Sequence, residues 1–442
     1  MDIGSLVSLA ILLPCAIAGF DYIFIAAICF LAFGALAALP PSLTMGVTIT
    51  AANLGFGLLI LRSLITMRAN AFLAIMLPFN KCGLLTLFML QAMLCTAIFP
   101  WVFEGQTIVY PLRGSGDVLY TVSLSPSMSN ITQFLYLLES YLLTIVIAAR
   151  FQTTDFLQVI KLALYLLLFI LFITACLDIL SLNFILDVFR NANYSLVGET
   201  NIGLTKRVVG AMPEASSFGA LTASLFAILL LMRRNFGMDY RWVFATLGSL
   251  LLACLSTSST AYAILAAAGA AFALQTLIRV FVSGRIEQER SAAEIIVIFV
   301  LAILAVEAII SAPEFRERIS FLLNALVFEK TSTSSFEERT RWSNTAFEAL
   351  QDSHWLGIGV GSARTSNGLI NILASTGLLG AVFFVAFNLS ILSHRRRNAG
   401  FSENYSAVLA LVPMFVGFAL SSPTADFGSL VALLFALQIR SG

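Results

Sequence analysis

Two adjacent cations lie a few residues before an acidic residue in one polar stretch of the chain. Lys206 and Arg207 precede Pro213 and Glu214, where an apolar run begins. A proline at the first helical position followed by an acid is typical of an ordinary helix N-terminus, so Glu214 could be only a capping acid. The alternative is a general base that works beside cations holding an anionic leaving group.

A second polar stretch combines arginines with closely spaced glycines. Arg339 and Arg341 fall in the first turns of a helix predicted after the capping-box pattern 334–338, where free N–H groups attract anions. The GxGxG run 357–361 predicts a tight turn whose N–H groups can face an anion, with Arg364 just behind it. A flexible re-entry turn into the next helix is the alternative. Nucleotide binding is rejected because no strand precedes the run and no acidic ribose partner follows.

Composition defines the elements that must position these residues. Of the 442 residues, 59% are apolar and 11% are charged, whereas soluble domains have roughly 45–50% apolar and about 25% charged residues. A soluble enzyme, a disordered protein and a nucleic-acid-binding protein are therefore excluded. The six cysteines show neither metal-ligand spacing nor a disulfide framework. The sequence predicts an all-α, polytopic membrane helix bundle, with residues 1–442 as a single integral membrane domain.

Thirteen apolar runs are candidate membrane spans, and we expect 12–14 transmembrane helices. The runs lie near 4–20, 22–39, 42–61, 82–103, 130–149, 157–178, 213–232, 241–256, 259–281, 292–312, 367–392, 404–421 and 426–440. The mixed segment 62–81 predicts an interfacial helix or a further short span. Glu139 and Glu307 lie inside two of the runs, and acids inside a membrane are candidates for function by default.

Basic loops predict the orientation of the bundle, because short loops rich in Lys and Arg stay in the cytoplasm. Three such loops agree in phase and place the C-terminus inside. They are marked by Arg233, Arg234 and Arg241, by Arg279, Arg285 and Arg290, and by His394-Arg395-Arg396-Arg397. The same phase places 104–129, 179–212 and 313–366 outside, and nine of the 25 cations fall in the last two segments. An anionic ligand explains these outer cations, and a solvated loop with balanced charges is the alternative.

Segment 313–366 is the longest connection in the chain, and long ordered loops are usually functional. Two amphipathic helices are predicted in it, one over about 314–329 and one that starts after the capping-box pattern Ser334-Ser335-Phe336-Glu337-Glu338. We therefore expect a large helical loop on the periplasmic face of the bundle.

Three motifs resemble one family of bacterial membrane enzymes. Arg341-Trp342, followed by His354-Trp355-Leu356-Gly357-Ile358-Gly359-Val360-Gly361, resembles the "R-W … P-L-x-G-x-G-x-G" signature of the O-antigen ligase and polymerase superfamily. Asn367, followed after nine residues by Gly377-Leu378-Leu379-Gly380, is similar to its "H-N-x9-G-L-x-G" signature. The stretch 212–219 is similar to its upstream proline-containing motif. The resemblance covers about residues 205–380. It departs at Ser366, where the family's ligases carry a histidine, and at Thr260, where an arginine is frequent.

The resemblance implies a GT-C-like bundle in the bacterial inner membrane with its active site facing the periplasm. It implies transfer of a glycan from undecaprenyl pyrophosphate to a sugar hydroxyl of a second lipid-linked repeat unit, without a metal or another cofactor. Because serine cannot replace the ligase histidine as a base, the polymerase branch is favoured over an O-antigen ligase. A lipid-linked oligosaccharide transporter or flippase is the alternative from another class. The implied partners are the lipid-linked oligosaccharide, membrane lipid, a flippase and a chain-length regulator, and no nucleic acid.

Under this resemblance, the candidate site residues fall into three roles. The residues expected to hold the pyrophosphate are Arg207, Arg341 and Arg364, with Lys206 and Arg339 in support. The candidate general base is Glu214, and the weaker alternative is His354. The residues expected to bind sugar hydroxyls are Ser366 and Asn367.

Overall fold

The computed structural model describes residues 2–39, 44, 47–112, 120–151, 156–192, 201–202, 205–237, 239–282, 334–393 and 401–439. These residues are mostly helical, as predicted. The helices of the first part are α1 (Ile3–Ala18), α2 (Phe20–Phe30), α3 (Ala51–Thr66), α4 (Ala69–Met76), α5 (Gly83–Val102), α6 (Met128–Phe151), α7 (Leu157–Ile179) and α8 (Asn183–Leu186). Those of the second part are α9 (Ala215–Leu231), α10 (Tyr240–Leu255), α11 (Ser259–Val282), α12 (Ser334–Asp352), α13 (Gly368–Ser393), α14 (Phe401–Ser421) and α15 (Ser429–Ile439).

Short antiparallel strand pairs and a 3₁₀ turn (Asp187–Phe189) are the other regular elements of the described chain. The strand pairs are β1 (Ala37–Leu39) with β2 (Ile49–Thr50), β3 (Ile108–Val109) with β4 (Val122–Ser123), and β5 (Asn201–Ile202) with β6 (Thr205–Lys206). All three pairs lie in connections between helices, so they shape the ends of the bundle.

Five described helices are long and apolar enough to cross a membrane, namely α5, α6, α7, α11 and α13. A further pair, α3 and α4, passes the same test together but is bent by 115°. Six shorter apolar helices accompany them. The chain therefore has the architecture of a helical multi-pass membrane protein. The predicted span 292–312, the predicted amphipathic helix 314–329 and Glu307 lie outside the described residues.

The predicted span 22–39 is wrong, because α2 ends at Phe30 and turns lead into β1. The chain leaves the helix here to contact the segment before Glu214. The Gly34 N–H lies 3.2 Å from Met212 Sδ, and the Ala35 N–H donates to the Ala211 carbonyl at 3.2 Å. Segment 62–81, for which the sequence left two interpretations, contains the short helix α4 after the bend. Met67 has an extended backbone there and ends α3.

Contacts between the ends of α9, α10 and α11 define two ends of this part of the bundle. At one end, the Trp242 indole donates to the Leu229 carbonyl and Gln275 bonds to both Arg233 and Ser406. At the other end, which we call the site end, the Val208 N–H donates to the Leu255 carbonyl at 3.2 Å. The loops with Arg233 and Arg279 thus share one end, opposite the predicted site.

A small second core builds a cap over the site end. It joins the β3–β4 hairpin, α12 and the loop 353–367, which we call the glycine loop. Its buried members are Phe103, Val109, Leu124, Ala346, Ala349, Leu350, Ile358, Ala363 and Ala374. The Thr107 hydroxyl also donates to Asp352 of α12 at 2.6 Å. Helix α12 covers the segment predicted as the second amphipathic helix and begins at Ser334, and the cap holds it against the bundle.

Candidate functional site

The glycine loop is a packed structural turn. Gly357, Gly359 and Gly361 all have positive φ angles, as the predicted tight turn requires. The backbone donors of this turn are already used within the protein, because the N–H groups of Ile358 and Gly359 donate to carbonyls of α13 at 2.8 and 3.0 Å. The expectation that these N–H groups face an anion is therefore wrong for both donors.

Helix α13 breaks where the glycine loop meets it. Gly377 has φ 69° and ψ −177°, so one turn of the helix opens. The Leu378 N–H then donates to the Trp355 carbonyl at 3.0 Å. A Cβ on Gly377 would overlap the Leu356 carbonyl oxygen, so only glycine fits this crossing. The predicted run 367–392 is thus a broken helix that anchors the loop carrying Arg364.

Arg364 lies at the centre of the site end. Its backbone N–H donates to the Tyr110 carbonyl at 2.8 Å, which ties the residue to the strand-pair side of the cap. Its guanidinium carbon lies 4.4 Å from the centre of the Trp342 ring on α12. The Nε atom is buried and has no hydrogen-bond partner in the described part of the chain. The guanidinium is thus held by stacking, with donor capacity left over.

Charges from two other elements act on Arg364. Burial lowers the pKa of its guanidinium from the ordinary value, and the Glu214 carboxylate opposes that effect. Arg339 lowers the pKa further, while Glu338 raises it. Arginine stays protonated in proteins, so the site holds a fixed positive charge. The structure therefore groups Glu214 of one polar stretch with Arg339 and Arg364 of the other.

The two candidate arginines of α12 lie on different sides of the helix. Arg339 is half-buried beside Arg364, and its carbonyl accepts a hydrogen bond from the Ser366 hydroxyl at 2.9 Å. Arg341 is exposed and pairs with Glu337, one turn earlier, at 3.2 Å. Because helical residues two positions apart point about 200° apart, both cannot face the glycine loop. The structure brings Arg339 to Arg364 and turns Arg341 away.

Ser366 and Asn367 use their polar groups within the protein. Ser366 lies 3.2 Å from the Ser343 hydroxyl in addition to its bond with α12. The Asn367 side-chain oxygen accepts from the N–H groups of Leu369 and Ile370 at 3.0 and 3.2 Å, so it caps α13. Both residues border Arg364, and both hold the glycine loop in place.

His354 lies at the other end of α12 from Arg339. It follows the helix with φ 52°, next to Trp355 with φ 65°, in a left-handed turn that ends α12. At 1.5 Å per helical residue, the two positions are separated by about 20 Å. His354 is therefore not placed with the arginine cluster.

Asp178 organises the other polar stretch. Its buried carboxylate accepts the N–H groups of Val209 and Gly210 at 2.7 and 3.0 Å. Lys206 pairs with the same carboxylate at 3.2 Å and also bonds to the Asp178 carbonyl. The Lys206 ammonium is thus engaged inside the protein, and the half-buried Arg207 is the neighbouring cation on this fixed segment.

Glu214 occupies the position that precedes α9, and its side chain is exposed. Its carboxylate makes no capping bond to the first turn, but it accepts a hydrogen bond from the Ser216 hydroxyl. The interpretation of Glu214 as a capping acid is therefore wrong, because its side chain forms no capping hydrogen bond. What remains is an exposed carboxylate whose charge acts on Arg364.

Three residues that shape the site end and the bundle next to it had no role assigned from the sequence, where Trp342 was only part of a motif. Asp178 and Trp342 fix the two cation-bearing segments, and Asp426 lies in the connection between α14 and α15. Asp426 accepts the Ser140 hydroxyl at 2.6 Å, and its charge acts on Glu139. A lone acid at the edge of an apolar run was the signal for Asp178 and Asp426. Their hydrogen-bond partners could not be predicted, because those partners lie on segments distant in sequence.

Within the described residues, no group of three or more His, Cys, Asp or Glu side chains could hold a metal ion. No protein-family model matches the chain, and no curated protein matches it either.

Proposed function

We propose that the chain is a membrane polysaccharide polymerase that elongates a glycan on undecaprenyl pyrophosphate at the periplasmic face of the bacterial inner membrane. The observation that carries the proposal is Arg364. It is a partly buried cation with spare donor capacity, stacked on Trp342 and grouped with Arg339 and Glu214. A fixed cation at the end of a membrane bundle suits an anionic group attached to a lipid.

The chemistry follows from these three charged groups. A sugar hydroxyl oxygen of one lipid-linked unit attacks the anomeric carbon of another, and the bond from that carbon to the pyrophosphate oxygen breaks. The electron pair leaves with the pyrophosphate, whose growing charge Arg364 and Arg339 stabilise. The hydroxyl proton passes to the Glu214 carboxylate, which acts as the general base. Neither nucleotide nor metal enters the balance, because pyrophosphate is already a good leaving group.

The remaining candidates take supporting roles in this proposal. Arg207 extends the cationic surface on the segment that leads to Glu214, while Lys206 holds that segment to Asp178. Arg341 contributes at the edge, from the exposed side of α12. Ser366 and Asn367 border the reaction site from the cap. His354 lies at the far end of α12 and has no role in this proposal.

A polymerase is favoured over a ligase by the state of Ser366. Its hydroxyl donates to the Arg339 carbonyl, and serine is not a base at neutral pH. The ligase histidine of the resembled family therefore has no chemical equivalent at this position. The second lipid-linked sugar, with Glu214 as its base, is the acceptor that fits.

Reconstitution tests the proposal directly. Purified protein in lipid nanodiscs receives an undecaprenyl pyrophosphate-linked repeat unit without nucleotide, and the products are sized on a gel. We expect a ladder of lengths from the wild type and none from the Arg364→Ala or Glu214→Gln variants. The Arg241→Ala variant, changed at the exposed and opposite end, is the matched control. A single transfer to a core acceptor would support the ligase instead.

A transporter of lipid-linked oligosaccharide is the second candidate, and one observation favours it. Asp426 lies at the break between α14 and α15 and accepts the Ser140 hydroxyl, about 18 Å along α6 from the start of that helix at the site end. Glu139 is the residue next to Ser140, and the charge of Asp426 acts on it. Acids and broken helices inside a membrane are typical of transporters. The test measures the movement of a labelled lipid-linked sugar across vesicle membranes. If the wild type moves it, the Glu139→Gln variant does not, and no ladder forms, the transporter replaces the polymerase proposal.

A further inference from the structure

A cavity of about 290 Å³ lies within the helical part of the molecule, between α9, α11, α14 and the start of α15. Most of its wall is apolar, with Leu221, Ile264 and Phe418 among the lining residues. Four serines interrupt that wall, and Ser224 of α9 is one of them. The cavity is therefore suited to an apolar group.

The cavity lies further along α9 than Glu214, the proposed general base. Helix α9 starts directly after Glu214, and its residues Ala220 and Ser224 line the cavity. At 1.5 Å per residue, these positions lie about 9–15 Å further along the helix. The polar surface at Glu214 and the apolar cavity are thus successive sections of one helix.

Two other segments connect the site to the cavity wall. The Thr365 hydroxyl, next to Arg364, donates to the carbonyl of the lining residue Ser422 at 3.4 Å. Asn371 of α13 donates to the neighbouring Pro423 carbonyl at 3.1 Å. On the opposite side, the chain after the lining residue Leu31 bonds to the segment before Glu214 through Gly34 and Ala35. The cationic cluster therefore lies over the cavity.

A cationic rim over an apolar cavity is complementary to a molecule with an anionic head and an apolar chain. We propose that this cavity binds the part of the isoprenoid chain nearest the pyrophosphate, while Arg364 and Arg339 hold the phosphates. The inference rests on the proposed function, since it assigns the lipid end of the same substrate. Each buried CH₂ stabilises the complex by about 0.8 kcal/mol, so even a short chain adds measurable affinity.

Asp426, the charged residue in the cavity wall, is hydrogen-bonded within the protein and does not oppose an apolar occupant. The Oδ1 atom of Asp426 accepts from the Ser140 hydroxyl and from the Gly428 N–H at 3.1 Å. These bonds hold the carboxylate against α6 and the start of α15. Farnesyl pyrophosphate is therefore the probe that fits, and inorganic pyrophosphate is the probe for the rim alone.

The test compares those two probes on the full chain in nanodiscs, with affinity measured by competition against a fluorescent farnesyl pyrophosphate. We expect the wild type to bind farnesyl pyrophosphate at least about tenfold more tightly than pyrophosphate. The Ser224→Phe variant fills the cavity and should remove most of that preference, with pyrophosphate affinity within about twofold of the wild type. The Leu247→Phe variant, changed on an exposed face of α10, is the control.

The outcomes separate the two proposals. An unchanged preference in the Ser224→Phe variant, with pyrophosphate binding that depends on Arg364, overturns the cavity assignment and leaves the proposed function standing. No binding of either probe by the wild type overturns both. Because the filled variant could fail to fold, a photoreactive farnesyl pyrophosphate is also crosslinked to the wild type. Label on α9 near Ala220 and on α14 near Phe418 supports the assignment, and label confined to the outer face of α10 contradicts it.

Discussion

Two arginines stack on aromatic rings at opposite ends of the bundle, and they differ in what else they bind. Arg233 lies 4.5 Å from the Phe272 ring centre, is 5% exposed, and donates to Gln275 at 2.8 Å and to the Leu230 carbonyl at 2.9 Å. Arg364 has the equivalent stack on Trp342, but its buried Nε has no partner among the described residues.

The difference separates a structural cation from a cation available to a ligand. A buried donor without a partner is costly, and such groups persist where another requirement maintains them. Gln275 also bonds to Ser406 of α14, so Arg233 belongs to a network that joins helices. Arg364 instead shares its surroundings with the exposed Glu214.

The largest effect is expected from Arg364→Ala. Loss of one preorganised donor to a developing negative charge costs about 10²–10³ in rate. We expect the polymerisation rate to fall by that factor while the melting temperature changes little, since only one stack is lost. Rates are measured by product sizing and stability by thermal unfolding. A large fall in melting temperature with an intact rate would reverse the roles of the two arginines.

Arg233→Ala should show the converse pattern. It leaves the Gln275 side-chain oxygen and the Leu230 carbonyl without their donor, which costs about 2–4 kcal/mol of folding stability. The free energy of unfolding in detergent should fall by that amount, with the rate per folded molecule close to that of the wild type. The exposed Arg241→Ala variant at the same end controls for a general effect of charge removal.

Asp178→Ala should affect both stability and activity. It leaves the N–H groups of Val209 and Gly210 without an acceptor and frees Lys206, at a cost of about 2–3 kcal/mol. The segment carrying Arg207 then loses its position, so KM should rise along with the loss of stability. Asp178→Asn keeps an acceptor oxygen and should recover part of both. If KM and stability in Asp178→Ala matched the wild type, the positioning role of Asp178 would be excluded.

The Trp342→Leu substitution removes only the aromatic ring that stacks on Arg364 and leaves the arginine in place. Cation–π contacts are worth about 0.5–2 kcal/mol, so the affinity for inorganic pyrophosphate should fall by about 2–30-fold. Trp342→Phe retains a ring and should lose less. Equal losses in the two variants would show that the stack does not orient Arg364.

The smallest effect is expected where the two arginines of α12 are compared. Arg341 forms an exposed pair with Glu337, and such pairs contribute about 0.3–0.5 kcal/mol. Arg341→Ala should reduce the polymerisation rate by about twofold, and Arg339→Ala by about tenfold or more. The opposite ranking would show that the exposed face of α12 carries the site.

The long helices were predictable because hydrophobicity accumulates along a run. The expected runs 82–103, 130–149 and 157–178 correspond closely to α5, α6 and α7. The short helices were less predictable. The run 22–39 is apolar enough for a span, yet contacts of Gly34 and Ala35 with residues far along the chain end the helix early.

The candidate site was predictable in residue type and only partly in arrangement. Arg364, Arg339 and Glu214 were all expected from the sequence, and the structure groups them. The capping role of Asn367 also had a sequence signal, since asparagine precedes a helical run there. The engagement of Lys206 by Asp178 had none, because the two are separated by 28 residues and a turn.

Composition and apolar periodicity alone determined that this chain is a helical membrane protein, and they marked the few cations outside the apolar runs as candidates for function. The free energy of transferring a run of residues out of water is set by the side chains of that run, so it can be judged from the sequence directly. Only the tertiary structure decided that Arg339 rather than Arg341 faces Arg364, and that the glycine loop bonds to α13. Helix rotation and the pairing of distant segments depend on packing across the whole bundle, and no local run of residues contains that information.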